Sequence, residues 1–537
     1  MNQSGKFSKS LIKRIRDFKF YQQKRLLIFI FLALIAMFFI NLKAPLDPDL
    51  GWHLANGRYF LEHHAIPRLD MLSYSMADYS WIAHEWFTDI IFFWIYNNFG
   101  FWPLAIIFSL IAGAAFLLAA SAIFTSWGYR ITAALIGSLA SVPIIGIRPQ
   151  VITLFGLGLI IFLLFRWRRS PSNKLIFWLP LIFLFWVNLH GGFSIGLMVL
   201  FLFLFLETTK FFYQKISFWQ SSSISYPKTL IKIWLVKLKQ RLFNISWFQN
   251  EVLSKQLLGK LALIFLISIL ATLINPYGVG IYKEIYNTFA QTQSGAYVKE
   301  HIGEWQNVTS ANAMSYFFIV YVIFLGFLVL LNIKKLDFTL IAFALISLYF
   351  GFSSWRHMPI YIVITLPLWV SSMKNLVGET LSSMSRSKLV ISLLLLVTVL
   401  IGWQRVTQTF PLINSSEKAA RAGNYPYGAV QYIKRHLDEL PGQMFNEYNW
   451  GGYLTWQLPE KKVFIDGRMA IWQLPDRNPF EDHDNFLSGK MNYAQFIDEY
   501  DIDWVLAFPK RVVSYILVNA DWQIVYQDEI SIIIKKP

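Results

Sequence analysis

The chain has no cysteine among its 537 residues. That absence excludes disulfides, thiol catalysis and thiolate metal sites. Charge is also scarce: 15% of residues are Asp, Glu, Lys or Arg, where soluble globular chains carry about 25%. No H-E-x-x-H zinc motif occurs, and neither an internal repeat nor a low-complexity tract is found. What fills the sequence is apolar: 55% hydrophobic, 18% aromatic, with a mean hydropathy of +0.44. Apolar runs of spanning length recur from Leu26 to Trp403. They define a multi-pass α-helical membrane protein. After the last run charge returns and apolar runs shorten, over a length that suits one soluble domain. The net charge of +16 is read as basic cytoplasmic loops, so no nucleic-acid partner is expected.

The first 26 residues carry Lys6, Lys9, Lys13, Arg14, Arg16, Lys19, Lys24 and Arg25 against Asp17 alone. Positive residues near spans stay in the cytoplasm. Residues 1–26 are therefore read as a cytoplasmic segment, and the first span, 27–43, delivers "DPDLGWHLANG" (47–57) to the outer side. No cleavable signal peptide is expected, because this run is of spanning length and lacks an A-x-A site. The run 85–100 is short and contains Glu85 and Asp89. It is read as an interfacial helix, not a span. Spans near 101–125, 131–147, 150–165, 175–188, 192–206, 259–275, 314–332, 337–352, 359–373 and 388–404 then complete eleven. Some have only 15–17 residues, fewer than the usual ~20.

Parity supports this choice. The inner segments hold 26 Lys and Arg residues, and the outer loops before the last span hold seven: Lys43, Arg58, Arg68, Arg148, Lys283, Lys299 and Arg356. Making 85–100 a span would put "RWRRSPSNK" (166–174) outside, against the charge rule. The transmembrane body is thus 27–404, with a first outer loop at 44–100 and another at 276–313. A basic cytoplasmic loop at 207–258 is read as amphipathic helices on the inner leaflet.

An odd number of spans places 405–537 outside, as an α/β domain. "YGAVQYIKRHL" (427–437) and "NYAQFIDEY" (492–500) read as helices. "GQMFNE" (442–447), "KKVFID" (461–466) and "DWVLAF" (503–508) read as strands, with "WQIVYQ" (522–527) and "ISIIIKK" (530–536) as a closing pair.

All nine histidines fall outside or at the outer rim: His53, His63, His64, His84, His190, His301, His357, His436 and His483. So do "DPD" (47–49), "HEW" (84–86), "RPQ" (148–150), "NLHGG" (188–192), "NPYG" (275–278), "GEW" (303–305) and "SSWRH" (353–357). Polar groups sharing one depth imply a water-accessible cavity. Each cluster also has a plain structural reading. "NPYG" is a turn that ends a helix, "HGG" packs helices through small residues, and Arg148 in "RPQ" reaches for the interface. Taken together, Arg148, Arg356, His190 and His357 suit a phosphate-bearing ligand. Asp49 and His53 are four apart and share a helix face, with Asp47 at the helix entrance and Pro48 near its first turn. Asp47 and Asp49 also suit helix capping. Asp47, Asp49 and His53, or His84 with Glu85, could hold a divalent cation such as Mg or Mn, or supply a general base.

"DPDLGWH" (47–53) resembles the "D-P-Y-x-x-Y-R" opening of the oligosaccharyltransferase catalytic subunit, and the whole layout resembles the GT-C superfamily of membrane glycosyltransferases. "NWGGYLTWQLPEKKVFIDGR" (449–468) is similar to that subunit's "W-W-D-Y-G-Y" segment, with Trp450, Gly452, Tyr453 and Asp466 at matching positions. Gly451 stands where that motif has Asp, so sequon recognition is not implied. "D-x-D-x-x-W-H-x-x-x-G", "I-P-x-x-D" and "H-E-W" also resemble bacterial predicted glycosyltransferases.

The resemblance implies transfer of a sugar from a polyprenyl-phosphate donor to a glycan, lipid or protein acceptor hydroxyl, with inversion, on the outer face of the plasma (inner) membrane. Under it Asp49 is the first choice of base, with Asp47 next, and Asp47 falls on a metal-binding acid. His53, His84 and Glu85 would orient the base, hold a metal or bind sugar, and Arg148 or Arg356 would meet the leaving phosphate. Trp450, Tyr453, Asp466 and Arg468 would meet the acceptor, or form structural turns. Trp52, Trp81, Trp86 and Trp355 could stack on sugars, though an interfacial aromatic belt accounts for most of them. A polysaccharide ligase or polymerase is the nearest alternative. A lipid or solute transporter is another; such proteins show inverted repeats and helices broken at the centre of spans, whereas here the polar motifs lie at one end and no repeat is found.

Overall fold

The structure is a computed structural model that describes residues 3–44, 46–77, 79–222, 251–289, 293–309, 312–378, 384–475 and 477–537. Its elements begin with α1 (Gln3–Asn41), α2 (Leu50–His63), α3 (Trp86–Phe99), α4 (Trp102–Ala120) and α5 (Trp127–Ser141). There follow α6 (Gln150–Arg169), α7 (Leu179–Leu189) and α8 (Phe193–Ser222). Among the described residues eight helices are long and apolar enough to cross a membrane: Phe20–Asn41, Trp102–Ala120, Gln150–Arg169, Phe193–Lys215, Lys255–Thr272, Tyr316–Lys335, Trp355–Val377 and Lys388–Ile413. Two apolar helices are shorter, Lys174–Leu189 and Phe338–Ser353, and α5 has 15 residues. Each of the eleven expected spans coincides with one of these helices. The 14-residue α3 is not of membrane length. Of the expected loop 207–258, residues 207–222 continue α8, and 223–250 lie outside the described residues.

Sequence chemistry sets the helix limits. Pro103, Pro180 and Pro359 each sit in the first turn of a helix, where a missing amide costs nothing. Asn275 closes the turn after Lys255–Thr272, its side chain donating to Thr272 and Gly278 carbonyls at 2.8 and 3.0 Å. Gly278 there has φ +53°, so "NPYG" is the helix-ending turn that its composition predicts.

The C-terminal part carries a four-stranded sheet: β1 (Gln443–Asn446), β2 (Ile502–Ala507), β3 (Gln523–Gln527) and β4 (Ile532–Lys535), in the order β1-β2-β4-β3. β1 and β2 are parallel, with Phe445 opposite Val505, and the other pairs are antiparallel. Helices Tyr427–Arg435 and Tyr493–Glu499 stand where the sequence places them. "KKVFID" corrects an expectation, because it is not a sheet strand. Val463 pairs with the first outer loop instead, its N–H donating to Leu72 and its carbonyl accepting from Tyr74 at 3.0 and 3.1 Å. The Asn446 side chain takes the Phe464 N–H at 2.8 Å and donates to Ile465 at 2.9 Å. With those backbone groups satisfied, no neighbouring strand is needed. The helix Gly451–Gln457 was not foreseen. A second apolar core joins Trp52, Met76 and Trp81 of the first outer loop to Phe445, Phe464, Met469 and Trp472 of this unit.

A charged knot lies at the opposite end of these helices. Arg168 pairs with Glu207 at 2.7 Å and Asp337 at 3.1 Å, and Lys210 with the same two at 3.2 and 3.1 Å. Thr339 donates to Glu207 at 2.7 Å. Glu207 and Lys210 are fully buried, so the network holds α6, α8 and the helix Phe338–Ser353 together. Removing one member leaves a buried charge uncompensated, which costs about 3–5 kcal/mol. Lys210→Met is expected to lower the thermal unfolding temperature in detergent, and Glu207→Gln with Lys210→Met to recover part of the loss. Unchanged melting of the single variant would show that the knot contributes no stability.

Candidate active site

The site begins at the entrance to α2. Asp49 is the N-cap residue, yet its side chain makes no capping hydrogen bond. It accepts from the Trp52 indole N–H at 3.2 Å. Asp47 does the local structural work. Its Oδ1 accepts the Asp49 N–H at 3.1 Å, and its Oδ2 accepts from Arg148 Nε. One carboxylate therefore braces the loop and leaves the other free for chemistry.

Arg148 is shared. Its Nη1 donates to Glu304 Oε2, and Glu304 Oε1 lies 3.4 Å from Arg356 Nη1. Arg356 rests over the Trp305 ring at 4.8 Å. Burial pushes Asp49 up to about 6; Arg148 opposes this, while Asp47 and Glu304 add to it. For Glu304 burial also works upward, but Arg356 and Arg148 outweigh it and hold the group below its usual range.

A second chain of groups lines the adjoining wall. His53 Nδ1 lies 2.6 Å from Asp89 Oδ1, and its Nε2 lies 3.7 Å from Glu85 Oε2. Glu85 Oε1 lies 3.2 Å from His190 Nε2 and 3.7 Å from His84 Nε2. His190 Nδ1 accepts from the Gly192 N–H at 2.9 Å, so its proton sits on Nε2, facing Glu85. Burial drives His190 down to about 4 and keeps it neutral. Burial works against the charge on His53 too, but Asp89 and Glu85 outweigh it and raise that imidazole. Glu85, despite its burial, is held low by His84, His53 and His190. Burial pushes Asp89 up to about 6 against the pull of His53.

These groups surround one cavity of about 270 Å³. Part of the lining is apolar: Ile144, Ile145, Val151, Leu154, Ile195 and Ile360. Trp52, Trp81, Trp305, Trp472 and Tyr448 add aromatic surface. Asp49, His53, His84, Glu85, Arg148, His190, Arg356 and His357 all face this space. Lateral convergence, which a shared depth does not establish, is thus a property of the fold.

The other candidates fall elsewhere. Among the four residues matched or added in the outer unit, only Arg468 lines the cavity. It lies over Trp81 at 4.7 Å and is paired with Asp466 at 2.6 Å and Asp70 at 3.0 Å. Asp466 is fully buried in that pairing. Trp450 is buried with its indole on the Asn424 carbonyl at 2.8 Å, and Tyr453 is buried against Tyr425. The metal set Asp47, Asp49 and His53 is not assembled. Arg148 occupies Asp47 and Asp89 occupies His53. Among the described residues no group of three such side chains is placed to hold an ion, so no step is derived through one.

Sequence reasoning passed over Asp89, Glu304 and Thr153 as site residues, while Tyr448 and Gly467, which also line the cavity, lie in the stretches Asn446–Tyr453 and Asp466–Arg468 that it offers as acceptor contacts. Glu304 stands inside the outer-rim cluster "GEW", which was the available signal. Thr153, bonded to His190 Nδ1 at 2.6 Å, lies inside an apolar run and gave none.

No protein-family model matches the chain, and no curated protein matches it. Solved structures do. An oligosaccharyltransferase of Archaeoglobus fulgidus, tethered to an acceptor peptide, is similar with a TM-score of 0.47 and 11% identity, over 90% of this chain and 68% of its own. ArnT of Cupriavidus metallidurans, bound to undecaprenyl phosphate, is similar with a TM-score of 0.42 and 12% identity, over 95% of this chain and 97% of its own. The archaeal enzyme in complex with Zn and sulfate gives a TM-score of 0.37 and 12% identity, over 90% and 68%. At such distances the chain's own geometry has to carry any functional conclusion.

Proposed function

We propose that the protein is a membrane glycosyltransferase that moves a sugar from a polyprenyl-phosphate donor to an acceptor hydroxyl on the outer face, in envelope glycan biosynthesis. The observation that supports this most is the composition of the cavity. Apolar side chains, the Arg148 and Arg356 guanidiniums and the non-capping carboxylate of Asp49 face one space. A prenyl chain suits the apolar lining, a phosphate suits these guanidiniums, and a hydroxyl suits the carboxylate.

Asp49 takes the proton of the acceptor hydroxyl. The oxygen attacks the anomeric carbon, and the bond from that carbon to the phosphate oxygen breaks, its electron pair leaving with the phosphate. Attack opposite the leaving group inverts the sugar. Arg148, gripped by two carboxylates, acts as a fixed positive charge. Arg356 has one looser carboxylate partner at 3.4 Å and is the better placed to follow the leaving phosphate. His84, with 35% of its side chain exposed, is the most open imidazole of the Glu85 cluster and can meet the same anion. In this reading the N-terminus is cytoplasmic and the sheet unit lies outside the plasma membrane.

Asp49→Asn is expected to reduce sugar transfer in membranes at least about 100-fold, with protein abundance unchanged. Full activity would remove Asp49 from the base role. Because a base must be ionised and Asp49 sits at about 6, transfer at saturating donor should rise as pH passes upward through about 6 and fall away below it. A flat profile from pH 5 to 8 would contradict that assignment. Single cysteines in this cysteine-free chain test orientation. Ser488→Cys should react with an impermeant maleimide on intact cells and Ser172→Cys should not; the reverse pattern would invert the topology.

A further inference from the structure

Asp49 is enclosed from the outer side by the sheet unit. Three backbone approaches make this enclosure. A methyl group on Gly51 would overlap the Gly452 carbonyl, and one on Gly452 would overlap the Pro48 carbonyl. The first turn of α2 and the helix Gly451–Gln457 therefore meet backbone to backbone, which only residues without a Cβ allow. The third approach is at the carboxylate itself. A methyl group on Gly467 would overlap Asp49 Oδ1, the oxygen that accepts from the Trp52 indole, and would stand 3.6 Å from that indole nitrogen.

The turn carrying Gly467 cannot easily yield. Asp466 caps it by accepting the Arg468 N–H at 2.9 Å. Arg468 in turn holds Asp466 and, at 3.0 Å, Asp70 of the first outer loop. Gly451 packs on the Ile465 carbonyl with no room for a side chain. Tyr448 donates to the Gly467 carbonyl at 3.4 Å.

We infer that Gly467 is a positioning residue for Asp49: the space left by its missing side chain is the seat of the carboxylate, so the sheet unit completes the active site. The inference rests on the glycosyltransferase reading for the role of Asp49, though not for the existence of the seat.

Carboxyl labelling tests the seat without any sugar. Dicyclohexylcarbodiimide reacts with protonated carboxyl groups, and peptide mass spectrometry of the full chain in lipid nanodiscs gives the pH of half-maximal labelling at Asp49. Among the described residues the titratable and charged groups near Asp49 are Asp47 of its own loop, His53 of α2, Arg148, Glu304, Tyr425 and Tyr448, and none of them is altered in the variants. The wild-type midpoint is expected near 6. Gly467→Ala turns the carboxylate out of its buried seat, so its midpoint should fall by about one pH unit. Trp52→Phe removes a hydrogen bond to the ionised form, so its midpoint should rise. Gly326→Ala, with open space around it, should leave the midpoint at the wild-type value.

In a transfer assay Gly467→Ala should lower kcat about 100-fold with the donor KM unchanged. An unchanged midpoint in Gly467→Ala overturns the inference. If that variant does not fold, an unchanged midpoint in Trp52→Phe overturns it instead. Full activity of Asp49→Asn with the labelling shifts intact would sink the transferase role and leave the seat standing.

Discussion

Arg148 is gripped by two carboxylates from distant loops, and the outer end of the molecule is organised around that grip. Asp47 comes from the entrance to α2 and Glu304 from a loop more than 150 residues later in the chain, and both are bound to one guanidinium. Glu304 then passes the alignment to Arg356. Four loops that enter from different helices are thereby tied together by one chain of ion pairs. Without the pairing, each group would have to remain desolvated near the membrane at a cost of several kcal/mol. With it, the loops are ordered before any ligand arrives, which is the condition for electrostatic preorganisation.

The same economy separates the two acids of "DPD". Asp47 is spent on a backbone amide and Arg148, and this frees Asp49 from capping. Asp49 inherits an environment that burial makes less acidic, and a neighbouring indole orients it. In the second group of side chains Glu85 is met by three imidazoles, so its oxygens are engaged within the protein. The cavity thus has one surface committed to internal pairing and another, around Asp49 and Arg356, that is open to a substrate.

Much of this was legible from patterns with a fixed physical period or sign. Apolar run lengths placed eleven helices, and the imbalance of Lys and Arg was the ground for reading α3 as an interfacial helix. The outer-rim rule gathered His53, His84, Glu85, Arg148, His190, Arg356 and His357, because polar groups at span ends are rare enough to be noticed singly. Contacts between loops were not legible. Nothing in "KKVFID" tells that its partner is Leu72–Tyr74, so it read as a strand. The stretch Asp466–Arg468 read as an acceptor contact or a structural turn, while the place of Gly467 within it depends on a carboxylate more than 400 residues earlier. Trp450 and Tyr453 matched a motif by type, yet the fold turns them into its own core.

Three helices were short by the sequence measure: α5, the stretch Lys174–Leu189 and Phe338–Ser353, of 15 or 16 residues. At 1.5 Å per residue they reach roughly 24 Å, against a hydrocarbon thickness of about 30 Å. Each ends just before a cavity segment: Ile144–Arg148, His190–Gly192 and Arg356–His357. Their missing final turns are what hollow out the bundle. The recess therefore occupies the level at which longer helices would continue.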